Sequence, residues 1–378
     1  MRIALILQRH SIHSTRWANS LVQRGHEIHF ISMDQSKHPM LDKIIQHQLA
    51  FGPPWGYFLN ALQLKTIIAN IKPDIVHAHY ASGYGTLARL SHFHPLIISV
   101  WGSDVFDFPK RSFLHRRILT ENLCAADWIC STSNMMARQV SNLVDCIEGR
   151  ISVVPFGIDN NIFRPMKGIR DTKKITIGTV KTMADKYGID ILINAFALLY
   201  NLIQTKESAE LAEKLRLVIV GGAPANIKDD QTNTLKQLCN KLGIQDKITF
   251  VGQVDHKDVP LWLNQFDIYV ALSRRESFGV AVLEASACGI PVIVSNVGGL
   301  PEVVKHEQTG FIVPKENISL ASKAMYSLIK NEMLREEMGK AGRYFVEKQY
   351  DWNINVSQME EIYSSTLDKF MKKRFRTS

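Results

Sequence analysis

The stretch "FDIYVALSRRESFGVAVLEASACGIPVIVS" (residues 266–295) reads as strand, turn, helix, strand. Its ends, "FDIYVAL" (266–272) and "IPVIVS" (290–295), are short β-branched runs without polar alternation. That is the pattern of strands buried on both faces of a parallel sheet. Between them "ESFGVAVLE" (276–284) sets a glutamate at each end of an apolar segment in which Ser277 is the sole polar side chain. Were all of it helical, Glu276 and Glu284 would stand about 80° apart around the axis. They would share a side of the element without touching, and each could hold a different part of one extended ligand. Because Glu276 directly follows a strand, a loop and the start of a helix are expected there, at the carboxyl edge of a sheet.

The same alternation extends in both directions. "KITIGTV" (174–180), "LRLVIVGG" (215–222), "KITFVG" (247–252) and "TGFIVP" (309–314) complete one set of strands. "RIALIL" (2–7), "HEIHFIS" (26–32), "PDIVHAH" (73–79), "PLIISV" (95–100), "DWICST" (127–132) and "ISVVP" (151–155) form an earlier one. Amphipathic segments separate most of them, which implies an α/β protein with two successive doubly wound parallel sheets. A chain of 378 residues suits two domains, at about 100–200 residues per domain. The join is expected in "PFGIDNNIFRPMKGIRDTKK" (155–174), where Pro, Gly and Asn cluster. The expected division is 1–165, 166–350 and a C-terminal segment 351–378 that ends in the basic tail "KKRFRTS". That segment reads either as a solvated terminus or as a helix crossing back onto the first domain.

The net charge of +9 favours an anionic partner, whether nucleic acid, an acidic membrane surface or a phosphorylated small molecule. No Cys/His zinc spacing and no aromatic-rich RNA-binding motif is present, so nucleic acid is not expected. The five cysteines include no CxxC pair and read as buried free thiols of a reducing compartment. The opening apolar run Ile3 to Leu7 is too short for a signal-peptide core. No segment reaches the ~18 uninterrupted apolar residues of a membrane span. A cytoplasmic protein, with peripheral contact at the inner face of the membrane, is expected.

Further chemistry gathers after the strands. A helix starting near Ser277 would aim the backbone N–H groups of Phe278, Gly279 and Val280 at a ligand oxygen. "VGGLPE" (297–302) sets Gly298 and Gly299 at a second candidate anion nest, and "GTVKTMADKYGID" (178–190) sets Lys181 and Lys186 beyond a strand, where a pair of ammonium groups suits a diphosphate. Each feature has a plain alternative: dipole-favoured acid, turn glycines, solvated lysines.

Taken in order, the run 271–313, with its E-x7-E, G-x-P-V and GG-x-P-E elements, resembles the signature of the retaining glycosyltransferases of family 4. "VVPFGIDNNIFRP" (153–165) and "RWANSLVQRGHEIHFIS" (16–32) resemble the family's interdomain segment and its first helix and second strand. The resemblance implies the GT-B fold, two facing Rossmann-like doubly wound domains with a deep interdomain cleft, the first binding acceptor and the second nucleotide-sugar. It implies that Glu276 holds the donor sugar, that Glu284 holds the nucleotide ribose, and that Lys181 and Lys186 hold the diphosphate, lysine standing where arginine is commoner. Ser277 to Val280, Val251, Gly252, Gly298 and Gly299 complete the expected donor site.

The first domain departs from the pattern. "QRHSIHSTR" (8–16) replaces a GG turn, and Trp101 in "SVWGSDV" (99–105) stands where many members have histidine. His13, Arg16, His79, Trp101 and Asp104 are the acceptor-side candidates.

The expected reaction is retaining transfer of a hexose-type sugar from a nucleoside diphosphate, preferably UDP, to a hydroxyl of a glycan or lipid-linked acceptor in cell-surface polysaccharide or lipopolysaccharide assembly. No cofactor is expected. No two aspartates stand two apart, so no metal is expected either. The alternative is a non-catalytic sugar-nucleotide-binding scaffold of an assembly complex. A dehydrogenase is disfavoured, since no G-x-G-x-x-G follows either first strand. "FDFPKRSFLHRRIL" (106–119), a basic amphipathic segment at helical spacing, together with "FGPPWGYFLN" (51–60) and the basic tail, suggests contact with anionic lipid. Burial of its apolar stripe in the domain core is the alternative.

Overall fold

The computed structural model describes residues 1–34, 39–224 and 227–377. The chain forms two compact units, one of Met1–Pro155 with Asn353–Ser378, the other of Phe156–Trp352.

The first unit is built on seven parallel strands, β1 (Arg2–Ile6), β2 (Glu27–Ser32), β3 (Ile45–Gln48), β4 (Ile75–His79), β5 (Leu96–Val100), β6 (Trp128–Ser131) and β7 (Ile151–Val153), in the order β3-β2-β1-β4-β5-β6-β7. The central strands β1, β4 and β5 are buried and mostly apolar, with His77, His79 and Ser99 as buried polar exceptions. β3, "IQHQ", was not expected. It is an exposed edge strand, where polar side chains replace the apolar run.

The helix Trp352–Thr377 belongs to this unit from Asn353 onward. Buried Tyr363 hydrogen-bonds His77 of β4 (2.7 Å), whose other ring nitrogen meets Ser99 (2.8 Å). Burial, with the neighbouring His79 ring, holds the His77 pKa well below the usual histidine value. Glu360 accepts from Arg24 (2.5 Å) and pairs with His26 (2.8 Å). The side chains of 374–378, most of the basic tail, lie outside the described residues.

Two sequence expectations are corrected here. Cys124 and Cys146 form a disulfide, joining the end of the helix Phe113–Ala125 to the turn Asp145–Ile147. Only Cys130, Cys239 and Cys288 are free, and all three are buried. A helix end and a turn 22 residues apart met in space, which spacing alone does not reveal. Segment 106–119 is likewise not one helix. It breaks into Ser103–Phe106, Phe108–Lys110 and the start of Phe113–Ala125. Phe106, Phe108 and Leu119 join the core, while Phe113 and Leu114 face solvent.

The second unit has six parallel strands, β8 (Ile175–Val180), β9 (Leu215–Val220), β10 (Ile248–Gly252), β11 (Ile268–Ala271), β12 (Val292–Ser295) and β13 (Gly310–Val313), in the order β10-β9-β8-β11-β12-β13. Residues 156–165 belong to it, ten residues earlier than the expected boundary. The Phe156 ring packs on Phe278, and the Phe163 carbonyl accepts from Arg343 (2.9 Å). Among the described residues no helix is long and apolar enough to cross a membrane.

Candidate active site

In each sheet the strand order reverses at one point, between β1 and β4 and between β8 and β11. Loops leaving adjacent strands at such a point part to opposite faces and leave a crevice at their carboxyl ends.

In the second unit, Lys181 leaves β8 and Glu276 follows β11. Their side chains meet, Lys181 Nζ donating to Glu276 Oε2 at 2.5 Å, with only 9% and 14% of the two side chains exposed. Burial opposes the Lys181 ammonium, but the Glu276 charge, with Tyr269 and Tyr187, outweighs it and holds the lysine pKa above its usual value. Tyr187 carries both ammonium groups over its ring, Lys181 at 5.0 Å and Lys186 at 4.9 Å from the centroid. Sequence spacing brought the two lysines near; the ring that pairs them was not foreseen.

Backbone fixes these positions. The Lys186 carbonyl accepts N–H groups of Arg274 (2.8 Å) and Arg275 (3.1 Å), tying the loop after β11 to that after β8. Arg274 grips Asp190 with two parallel bonds (2.8 and 2.7 Å) and adds Glu316 (2.8 Å). Gly298, at φ +55, lies where an added Cβ would fall 1.6 Å from the Glu276 carbonyl oxygen, and Gly299 N–H donates to that oxygen at 3.2 Å. The expected second helix there is a single 3-10 turn, Leu300–Glu302, and the glycine pair buttresses the Glu276 loop.

The helix carrying Glu284 starts at Val280, three residues later than expected, because Gly279 takes φ +117 and ends the loop. Val280 is therefore the first helical residue, and its N–H is one of the terminal donors that have no intrahelical partner. The Phe278 side chain is buried between Phe156 and Tyr350, with ring centroids at 6.2 and 5.9 Å, and serves the core. Glu284 is 6% exposed, and its Oε1 lies 2.9 Å from His256 Nε2. His256 sits in the turn His256–Asp258 beyond β10 and packs against Phe163 at 5.4 Å. Nothing in the spacing of "VDHKD" pointed to it. Val251 and Gly252 end β10, and the Gly252 carbonyl accepts from Gly221 (2.8 Å).

The arrangement is two cations and a helix start beside two carboxylates, one paired with lysine and one within hydrogen-bond distance of a histidine ring. It suits a ligand with an anionic centre and hydroxyls to either side. Among the described residues, no three His, Cys, Asp or Glu side chains gather so as to hold a metal ion.

In the first unit His79 lies between aromatic neighbours, 4.3 Å from the His77 ring and 4.9 Å from Trp101, with His13 6.1 Å from Trp101 on another side. His79 is 2% exposed, its Nδ1 has no partner, and burial lowers its pKa to about 3, so the ring is neutral. Arg16 is one turn beyond His13 on the helix Ile12–Gln23. Asp104 has a structural task in the loops. It is fully buried, and its carboxylate accepts N–H groups of Ala81 (2.9 Å), Gly102 (2.8 Å) and Trp101 (3.2 Å), locking the loop after β4 to that after β5.

Comparisons agree with this architecture. The family model described as "Glycosyl transferases group 1" matches residues 161–345, and "Glycosyl transferase 4-like" matches 2–133. N-acetyl-alpha-D-glucosaminyl L-malate synthase of Bacillus anthracis is 28% identical over 93% of each chain. Sucrose-phosphate synthase of Thermosynechococcus elongatus superposes with a TM-score of 0.81, at 20% identity and full coverage of both chains. Anabaena HepE in complex with UDP superposes with a TM-score of 0.79, at 16% identity over 97% of this chain and 100% of that one. Between them the two models take in every strand of the two parallel sheets except β7, and the chain belongs to the family-4-type glycosyltransferases of the GT-B fold.

Proposed function

We propose that the chain transfers a hexose-type sugar from a nucleoside diphosphate, UDP in preference to GDP, to a hydroxyl of a glycan or lipid-linked acceptor at the cytoplasmic side of cell-surface glycan assembly. The anomeric configuration is retained and no metal takes part. The observation that carries this is the Lys181–Glu276 pair with Lys186 beside it, at the reversal point of the second sheet. Two ammonium groups there stabilise the charge of a departing diphosphate, the quantity that sets the barrier. The UDP complex of the similarly folded HepE supports the choice of base, and the glucosaminyl unit in the name of the Bacillus relative supports a hexose-type sugar.

In the proposed step the bond from the anomeric carbon to the diphosphate breaks and its electron pair stays on the phosphate oxygen. The acceptor oxygen bonds the same face, and its proton passes to the diphosphate. Glu276 releases Lys181 to the phosphate and orients sugar hydroxyls. Glu284, held by His256, accepts from the ribose.

A thermal-shift series with UDP-, GDP-, ADP- and dTDP-sugars, with and without EDTA, tests this on the wild type and Glu284→Ala. One nucleotide is expected to raise the melting temperature, EDTA leaving the effect intact and the variant weakening it. No response to any nucleotide refutes a working donor site; a response without slow donor hydrolysis favours the scaffold.

A further inference from the structure

The loop after β8 carries both lysines, but its backbone does not fix where an ammonium group at the end of a flexible four-carbon stem comes to rest. Lys181 has Glu276 as a counter-charge. Lys186 is exposed and makes no ion pair among the described residues. What the two share is the ring of Tyr187, whose centroid lies 5.0 Å from Lys181 Nζ and 4.9 Å from Lys186 Nζ. Like charges gathered so closely repel each other. The attraction of each ammonium to the electron-rich ring offsets that repulsion.

The ring is firmly seated. It belongs to the 3-10 turn Asp185–Tyr187, which Gly188 ends at φ +60. A Cβ on Gly188 would fall 2.1 Å from the Leu272 carbonyl oxygen, so the turn presses directly on the chain leaving β11. The Arg274 guanidinium donates to the Asp185 carbonyl (2.8 Å), and the Tyr187 N–H donates to the Ala184 carbonyl (2.9 Å). The Tyr187 side chain is half-buried and packs against the core of the second unit. A backbone tied on both sides and a ring wedged on the core make a fixed platform for two mobile stems.

We propose that Tyr187 is a positioning residue, its aromatic face gathering the Lys181 and Lys186 ammonium groups into one cationic pair matched to two linked phosphate groups. When Glu276 gives up Lys181 in the proposed step, the ring is the neighbour that keeps the freed ammonium near Lys186. A diphosphate engages both cations, whereas a monophosphate fully engages one. The platform therefore sets the preference for a nucleoside diphosphate over its monophosphate, and the phenol hydroxyl has no part in it. The inference rests on the donor-site reading above and deepens it.

Calorimetric titration of the full chain with UDP, UMP, GDP and GMP tests this on the wild type, Tyr187→Phe and Tyr187→Leu. The wild type is expected to bind one diphosphate at least about tenfold more tightly than the matching monophosphate. Tyr187→Leu keeps an apolar side chain against the core and removes the ring; it is expected to bind that diphosphate about tenfold more weakly, with the monophosphate within about threefold of wild type. Tyr187→Phe keeps the face and is expected to stay within about twofold of wild type for both. Equal weakening of diphosphate and monophosphate by Tyr187→Leu marks a merely structural ring and overturns the inference. So does a loss in Tyr187→Phe as large as that in Tyr187→Leu. A wild-type preference for diphosphate that Tyr187→Leu leaves intact overturns the inference alone and leaves the donor site standing; a wild type with no such preference overturns the donor-site reading and the inference with it.

Discussion

Replacing Glu276 by glutamine tests the core of the donor-site argument, because it keeps the shape of the side chain and removes its charge. The Lys181 ammonium then remains 9% exposed without its counter-charge. Removing one partner of a buried ion pair costs about 3–5 kcal/mol. Residual access to water and the amide oxygen of glutamine lower this to roughly 2–3 kcal/mol. In a unit the size of 156–352 that corresponds to a fall in melting temperature of about 4–12 °C. Lys181→Met alone should cost a similar amount. The double variant Lys181→Met/Glu276→Gln should recover much of it, giving a coupling of about 2 kcal/mol in urea denaturation. The pH dependence has a definite sign. The folded pKa of Lys181 is raised, so the contribution of its pairing is complete below the unfolded lysine value of about 10.4 and is lost as pH rises through the folded value. In Glu276→Gln the counter-charge is gone and burial lowers the Lys181 pKa, so the penalty is largest near pH 7 and shrinks as pH rises toward the lysine range. A coupling below about 0.5 kcal/mol, or a penalty that grows as pH rises from 7 to 9, refutes a structural ion pair between these two groups.

Gly298→Ala should lower stability by more than about 2 kcal/mol and weaken nucleotide-sugar binding, because positive φ and the 1.6 Å approach to the Glu276 carbonyl oxygen force that loop to move; calorimetry with and without nucleotide checks both. Arg274→Lys loses the bidentate grip on Asp190 and should cost about 2 kcal/mol, seen as a raised donor KM with the acceptor KM unchanged. Alkylation of the denatured protein should label three cysteines without reductant and all five with it, by mass spectrometry. Tyr363→Phe leaves the buried His77 ring without one partner and should cost about 1–3 kcal/mol, read from urea denaturation of the first unit.

What the sequence disclosed follows from where information is local. Strands such as "FDIYVAL" and "PLIISV" are legible because a strand covered on both faces must be apolar throughout. β3 escapes because an exposed edge imposes no such pattern. Glu276, Lys181 and Lys186 stand out because they lie in the loops that leave strand ends, and the structure brings them together across the β8/β11 reversal. His256 and Tyr187 do not stand out, because their meaning lies in partners, Glu284 and the two ammonium groups, that only folding supplies. Asp104 shows the converse. An aspartate beside a loop glycine looks available until burial and three backbone donors are counted.

The helix that seats Tyr363 on His77 has a consequence for biosynthesis. Strands β1 to β7 leave the ribosome first, yet the residues that cover His77 and meet Cys130, Tyr363 and Met359, emerge only after the whole of 156–352 has been made. The second unit is continuous in sequence and can close its core as soon as it is out. The first must wait with a polar histidine and a thiol exposed on its unfinished face. The usual amino-to-carboxyl order of domain maturation is thereby inverted: the second unit is complete while the first is still open.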